Sequence, residues 1–254
     1  MAQHTLEKRL LGTTGLSVSQ IGLGTVKFGR NQGVKYPQGF DLPDDAFLSD
    51  FLALARDLGI NLLDTAPAYG ESESRLGRLL KGQRHDWIIA SKAGEEFEDG
   101  LSRHDFSPAH FESSLARSLK RLNTDTLDIL LIHSNGNDVE ILENDALIRT
   151  LEGFKTRGLV RAVGASSKTP EGGLKALECL DVVMATYTPD YTDERPVLDE
   201  ALRQNKGIIL KKVLSSGHTQ DPAQAIRFGL SHPAVHSLIL GTINPEHLRT
   251  NCAF

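Results

Sequence analysis

The feature that most constrains the fold of this chain is an alternation between two hydrophobic periods. Short apolar runs of the kind that fill a strand buried on both faces recur along the sequence. Each is followed by a longer stretch with apolar residues at helical spacing. The runs stand at residues 20–24, 61–64, 87–91, 129–133, 162–166, 182–186, 208–211 and 237–240. Amphipathic segments lie near 44–58, 72–81, 108–122, 145–157, 170–180, 195–205 and 222–231, with a short last one from Pro245. Ser107-Pro108 and Asp221-Pro222 each set a capping side chain before a proline, which reads as a helix start. Eight strands alternating with eight helices in 254 residues predict an α/β fold, a (β/α)8 TIM barrel. The competing doubly wound sheet should carry GxGxxG between its first strand and a helix. Gly22-Leu23-Gly24-Thr25-Val26-Lys27 has only the first half of that pattern, so the barrel is expected. It would occupy residues 1–254 as one domain, with an N-terminal β-hairpin and a short C-terminal tail.

Composition narrows the partners. Lys plus Arg is 28 against 33 Asp plus Glu, a net charge of 28 − 33 = −5. With no basic block, phosphate backbones are poor partners and no nucleic acid is expected. No apolar run approaches about eighteen residues, and the N-terminal residues lack a signal-peptide core, so a cytoplasmic protein without membrane partners is the expectation. Cys179 and Cys252 are too few for a disulfide framework or a cysteine zinc site, and the histidines lack ligand spacing, so no metal is expected. Residues 29–43 are rich in Gly and Pro and would form the first βα loop, for which a solvated loop and a lid both stay open.

A barrel enzyme carries its reactive groups at the carboxyl ends of its strands. The second strand ends on Asp64, with Tyr69 in the following loop; the third runs into Lys92; the fourth ends on His133. Each residue alone has an ordinary explanation: a cap, a packing ring, a structural histidine. Together at successive strand ends they point to chemistry. An ion pair with Asp64 would keep Lys92 protonated, and an ammonium beside a phenol favours phenolate, lowering the Tyr69 pKa from its reference near ~10. Such a tyrosine can donate a proton to an oxygen gaining charge, as carbonyl reduction requires, while the hydride must come from a nicotinamide.

At this point the chain resembles the aldo-keto reductases over nearly its whole length. The resemblance rests on RLLGTTGLSVS at 9–19 with IGLGT at 21–25, DTAPAYG at 64–70, Ser91-Lys92 and LIH at 131–133. It continues with GASS at 164–167 and GTINPEHL at 241–248. It implies a catalytic tetrad of Asp64, Tyr69, Lys92 and His133, with Tyr69 as general acid, Asp64 and Lys92 tuning it and His133 orienting the carbonyl of a small-molecule substrate. The cofactor implied is NADPH, with NADH as the alternative. On the nicotinamide side the resemblance implies Gly24, Thr25, Ser166 and Ser167, although similar enzymes have Ser-Asn where this chain has Ser-Ser. Met184 stands where a glutamine is usual and Lys211 where an aromatic ring is usual, which leaves Tyr187 as a candidate stacking face. Lys211, Lys212, Ser215, Ser216 and Gly217 would take the pyrophosphate. Thr242, Asn244, His247 and Asn251 would take the adenosine half, His247 standing where phosphate-preferring members often have arginine.

The chain stops at Phe254, where many such enzymes continue into a closing tail. The expectation is an open pocket whose selectivity comes from the first loop, Phe28 and the turn at 134–137. Two other functions stay open: a nucleotide-binding sensor with little turnover, favoured by Met184 and Lys211, and a Schiff-base lyase using Lys92. The lyase needs a neutral lysine, against which the Asp64 carboxylate works. Oligomeric state is not readable from the sequence.

Overall fold

The structure, a computed structural model, describes residues 6–253. An antiparallel hairpin of β1 (Lys8–Leu10) and β2 (Ser17–Ser19) leads into β3 (Ile21–Gly24), the short α1 (Val26–Gly29), α2 (Asp45–Asp57) and β4 (Leu62–Asp64). Then follow α3 (Ser72–Leu79), β5 (Ile88–Ala93), a second hairpin of β6 (Glu95–Glu98) and β7 (Leu101–His104), α4 (Pro108–Leu122) and β8 (Leu127–His133). The remainder runs α5 (Asp138–Leu142), α6 (Asp145–Thr156), β9 (Val160–Ser166), α7 (Pro170–Cys179) and β10 (Val182–Thr186). It closes with α8 (Arg195–Gln204), β11 (Gly207–Lys211), α9 (Pro222–Ser231), β12 (Val235–Leu240) and α10 (Pro245–Asn251). The parallel strands β3-β4-β5-β8-β9-β10-β11-β12 form a closed barrel, with β12 pairing back onto β3. The (β/α)8 fold and its N-terminal hairpin are as the sequence predicts.

Strand alternation divides the apolar residues into two sets. Leu63, Ile89, Leu130, Ile132, Val163, Val183, Ile208 and Leu238 face outward into one core shared with the helices. Leu62, Ile88, Ala90, Ile129, Leu131, Ala162, Val182, Met184 and Ile209 face inward and form a second core. The N-terminal hairpin closes the base of that inner core with Leu11, Leu16 and Val18. Ser107 and Asp221 cap α4 and α9 as expected, accepting from His110 and Gln224 N–H groups.

The structure differs from the sequence reading in three respects. β5 continues through Lys92 to Ala93, so Lys92 sits within the strand rather than after it. The short helices α1 and α5 interrupt segments without helical periodicity. The β6–β7 hairpin is an excursion between β5 and α4 whose strands are mostly polar and partly or fully exposed, so no hydrophobic alternation marks it. Its one local signal is Asp99-Gly100, both with positive φ, 52° and 80°. That pairing is the signature of a tight two-residue hairpin turn.

Gly29 fixes how the first loop meets the second. A Cβ there would collide with the backbone of Tyr69, Glu71 and Ser72, and the facing Gly70 has φ 61° with its own Cβ position blocked by the Gly29 carbonyl. The two segments therefore meet backbone to backbone, with Glu71 N–H donating to the Gly29 carbonyl at 3.3 Å. Gly29→Ala should lower stability by about 1–3 kcal/mol through overpacking against groups that cannot rotate away. A chemical-denaturation midpoint equal to that of the parent chain would show that this junction yields freely.

Candidate active site

Register and alternation together assemble the site. Residues of one parity face the barrel interior, and at the carboxyl ends of the strands that inward row becomes polar. It comprises Gly24, Asp64, Lys92, His133, Ser166 and Lys211, with Met184 below. Strand pairing sets Gly24 beside Asp64, His133 beside Ser166 and Thr186 beside Lys211. All of these but Thr186 line one cavity of about 930 Å³ at the mouth of the barrel.

Lys92 is the most constrained of these groups. Its side chain is 2% exposed, and its Nζ donates to Asp64 Oδ1 at 2.5 Å and to the Thr65 carbonyl at 2.8 Å. The ammonium lies 4.7 Å from the centroid of the Tyr69 ring. Tyr69 ends a single 3-10 turn, Pro67–Tyr69, whose Pro67 and Ala68 are buried. Ser72 braces the same loop, its hydroxyl 2.7 Å from Thr25 Oγ1 and 3.0 Å from Thr65 Oγ1. The Tyr69 and His133 rings meet edge to face at 6.2 Å between centroids. The four residues expected to act together thus share one wall of the cavity.

The electrostatics correct one expectation. Burial holds the Tyr69 phenol well above its ordinary pKa, reinforced by the nearby Asp64, Glu95 and Tyr36 and opposed by Arg30. In the resting site burial dominates, and the phenol is not acidified. Burial also pulls His133 below its ordinary pKa, against the opposing pull of Glu95. Its Nδ1 lies 3.0 Å from Glu95 Oε2.

On the cofactor side the sequence assignments divide. Gly24, Ser166, Lys211, Lys212, Ser216, Gly217, Thr242, His247 and Asn251 line the same cavity. Lys211 is turned inward rather than offered to solvent. Its Nζ donates to Ser166 Oγ at 2.8 Å and to the Ser167 carbonyl. Burial brings its pKa down to about 7, with Glu194 and Asp138 opposing and Lys212 and Lys92 adding to the fall. Lys212, Ser215, Ser216 and Gly217 all have positive φ, which bends the backbone around one side of the cavity.

Tyr187 is not a stacking face. It follows Thr186 at the outward parity, is 7% exposed, and stacks on Phe228 of α9 at 4.7 Å with His232 edge-on. Four further side chains do not line the cavity. Thr25 is buried against Asp64 and Ser72, Ser167 faces outward with an unpartnered hydroxyl, Ser215 is exposed, and Asn244 caps α10 by accepting from Glu246 and His247 N–H groups. Phe28 is also buried, edge-to-face with Phe51.

Several lining residues carried no signal of their own. Tyr36, Pro37 and Gln38 bring the first loop onto the cavity, where Tyr36 takes the Lys27 ammonium over its ring at 4.1 Å. Lys168 joins them from the loop after β9. Glu95 was missed for a different reason: it belongs to the hairpin that only Asp99-Gly100 announces.

Comparison with known proteins accords with this geometry. The profile described as "Aldo/keto reductase family" matches residues 20–217. An uncharacterized oxidoreductase of Bacillus subtilis, YqkF, is 31% identical over 75% of this chain and 58% of its own length. L-galactose dehydrogenase of Arabidopsis thaliana is 36% identical over 63% of this chain and 48% of its own. The chain therefore spans about half to three-fifths of these curated relatives. Among solved structures, PA4992 of Pseudomonas aeruginosa, assigned to the aldo-keto reductases, superposes with a TM-score of 0.91. It is 52% identical, covering 98% of this chain and 95% of that one. The holo form of aldo-keto reductase AKR11C1 from Bacillus halodurans gives 0.81 at 25% identity over 97% and 90%. The chain belongs to the aldo/keto reductase family.

Proposed function

We propose that this protein is an NADPH-dependent reductase of small aldehydes or ketones, with Tyr69 as the proton donor. The observation that carries the reading is the meeting of a phenol, a buried Lys92–Asp64 pair and a histidine on one cavity wall. The residues present fit a dinucleotide. The cavity continues from that wall over Met184 and Lys211 to the positive-φ turn at 212–217, and on to Thr242, His247 and Asn251. Lys27, Lys168 and Lys212 bring positive charge to it, which suits phosphates. A bound reduced nicotinamide supplies the hydride that no side chain can.

The remaining work falls to this chain. A phenol of raised pKa is fully protonated at working pH, so a proton is always held at the Tyr69 hydroxyl. As negative charge grows on a carbonyl oxygen there, the proton moves to it, and the Lys92 ammonium beside the ring stabilises the phenolate left behind. Asp64 and the Thr65 carbonyl keep that ammonium in place. His133 contacts the same oxygen from the adjoining strand. Met184 and Ile239 add apolar wall to the same cavity.

One observation favours a second reading, a nucleotide-binding protein with little turnover. Ser166 and the Ser167 carbonyl, which would grip a carboxamide, are already engaged by Lys211. The two readings part at the chemical step. Tyr69→Phe should leave cofactor dissociation constants unchanged while lowering kcat with aldehydes by about 10²–10⁴-fold, as expected for loss of a positioned proton donor. Turnover equal to that of the parent enzyme would remove Tyr69 from the mechanism.

The cofactor preference is tested by binding alone. A relative from Escherichia coli bears the name NADH-specific methylglyoxal reductase, so the preference is not uniform among similar chains. Titration followed by reduced-nicotinamide fluorescence should give tighter binding of NADPH than of NADH. His247→Arg should widen the ratio by about tenfold, because guanidinium grips a phosphate as a fork. Unchanged constants would place the adenosine end elsewhere, and absence of binding by either nucleotide would remove the reductase reading.

A further inference from the structure

Two inward lysines line the cavity, and only Lys92 has a part in proton transfer. Lys211 ends β11, and its Nζ donates to Ser166 Oγ at 2.8 Å and to the Ser167 carbonyl. Ser166 stands beside His133 in the pairing of β8 with β9, so this amine is fixed one strand away from the tetrad wall. Nothing cancels its charge at close range. Lys92 has the Asp64 carboxylate, whereas Lys211 has no carboxylate within ion-pair distance among the described residues. The acidic side chains that pull on it from farther away are Glu194, ahead of α8, and Asp138 of α5. Asp138 Oδ2 already accepts from the Lys168 N–H at 2.9 Å and from the Thr169 N–H and hydroxyl at 2.8 Å. Glu194 is 1% exposed, its Oε2 is buried without a partner, and burial raises its pKa.

A nicotinamide ring is neutral when reduced and carries one positive charge when oxidised. To deliver hydride to a carbonyl whose oxygen meets Tyr69, the ring must lie against the tetrad wall, near the strand end that holds Ser166. A cation fixed at that strand end repels the oxidised ring and is nearly indifferent to the reduced one. We propose that Lys211 selects the redox state of the bound nucleotide: its ammonium, held on Ser166 and the Ser167 carbonyl, weakens binding of the oxidised nicotinamide relative to the reduced one. The inference rests on the reductase reading and gives Lys211 a place in it. Reduced nucleotide is held until hydride has left, and the oxidised product is then expelled.

Titration of the amine makes the selection depend on pH. Burial brings the Lys211 pKa to about 7; Lys212 beside it and Lys92 of β5 lower it further, Glu194 and Asp138 oppose them, and His133 of β8 feels the same charge. Below this pKa the repelling charge is present; above it the amine is neutral and the selection fades. Phosphates of a bound nucleotide raise the midpoint, and they do so alike for the oxidised and reduced forms.

The test measures dissociation constants of NADP+ and NADPH, and of NAD+ and NADH, for the full chain and for Lys211→Met and Lys211→Arg. Within each pair the phosphates and the adenosine are the same, so the ratio of the oxidised to the reduced constant isolates the ring. In the parent protein this ratio should fall about tenfold as pH rises from about 6 to about 9, the order of effect that one charge has across a partly buried gap. Lys211→Met should show a ratio about tenfold below the parent's at about pH 6, and one equal to it at about pH 9. Lys211→Arg, whose guanidinium does not titrate, should keep the high ratio at both. A merely structural role would change both constants by one factor and leave the ratio alone. A parent ratio independent of pH, or equal ratios in parent and Lys211→Met at the lower pH, would overturn the inference. If Lys211→Met does not fold, the contrast between the parent and Lys211→Arg at the higher pH decides. Binding with an unvarying ratio overturns this inference alone, whereas absence of binding by all four nucleotides removes the reductase reading and this inference together.

Discussion

A strand in a closed barrel can send a side chain only inward or outward, and both directions are buried. The strands here are therefore largely apolar on both rows, and the inward row turns polar where it reaches the open end. That constraint selects which residues can meet. Asp64, Lys92, His133, Ser166 and Lys211 each share parity with an apolar residue two positions earlier in the same strand, apart from Ser166, which follows Gly164. The base of the lumen is filled by Leu11, Leu16 and Val18 from the first hairpin, so the polar groups have one exit and converge on it.

Burying charges at that exit requires partners, and the two inward lysines solve the problem differently. Lys92 has a carboxylate at 2.5 Å and a backbone carbonyl at 2.8 Å. The pair is held by neighbouring strands with fixed register, which limits the desolvation penalty that burying an ammonium incurs. Lys211 has a hydroxyl and a carbonyl but no carboxylate within ion-pair distance among the described residues, and burial draws its pKa to about 7. The first lysine is held by a carboxylate beside a phenol. The second is a donor whose charge responds to whatever enters the cavity, a negative group favouring the ammonium.

The same parity explains what the sequence made legible. Continuous apolar runs, each ending in a polar residue of the inward row, expose Asp64, Lys92 and His133 without a structure, and Tyr69 follows in the loop after Asp64. Tyr187 failed because it lies one position beyond Thr186, and one position reverses the face. Thr25 and Ser167 fall on the same side of that rule: their neighbours Gly24 and Ser166 point into the cavity while they point into the walls. Glu95 lay beyond reach for another reason. Its hairpin is built from charged and polar residues with no buried face of its own, so hydrophobic period carries no information, and the site it completes belongs to strands far from it in the sequence. The first loop was recognised as irregular, but which of its side chains faces the cavity is decided by long-range contacts that local composition does not encode.

Floor and roof of the cavity are held by interactions of different kinds. Below, the buried ion pair, the Thr25–Ser72–Thr65 hydroxyl cluster and the backbone contact of Gly29 with the Tyr69 turn fix the reacting groups to strands and to each other. Above, the first loop crosses toward the turn at 215–217 with little holding it. His218 Nε2 is 3.3 Å from the Lys35 carbonyl, and Lys27 sits over the rings of Tyr36 and Phe40 at 4.1 and 4.9 Å. Arg30 anchors the start of the loop by stacking on Phe97 of β6 and donating to the Ala68 carbonyl at 3.0 Å. Exposed contacts of this sort contribute little each, whereas loss of either partner of the Lys92–Asp64 pair leaves a buried charge unpaired. Rigidity is thus concentrated around the Lys92–Asp64 pair and the Tyr69 turn, and the tolerance for movement lies in the first loop at the mouth of the cavity.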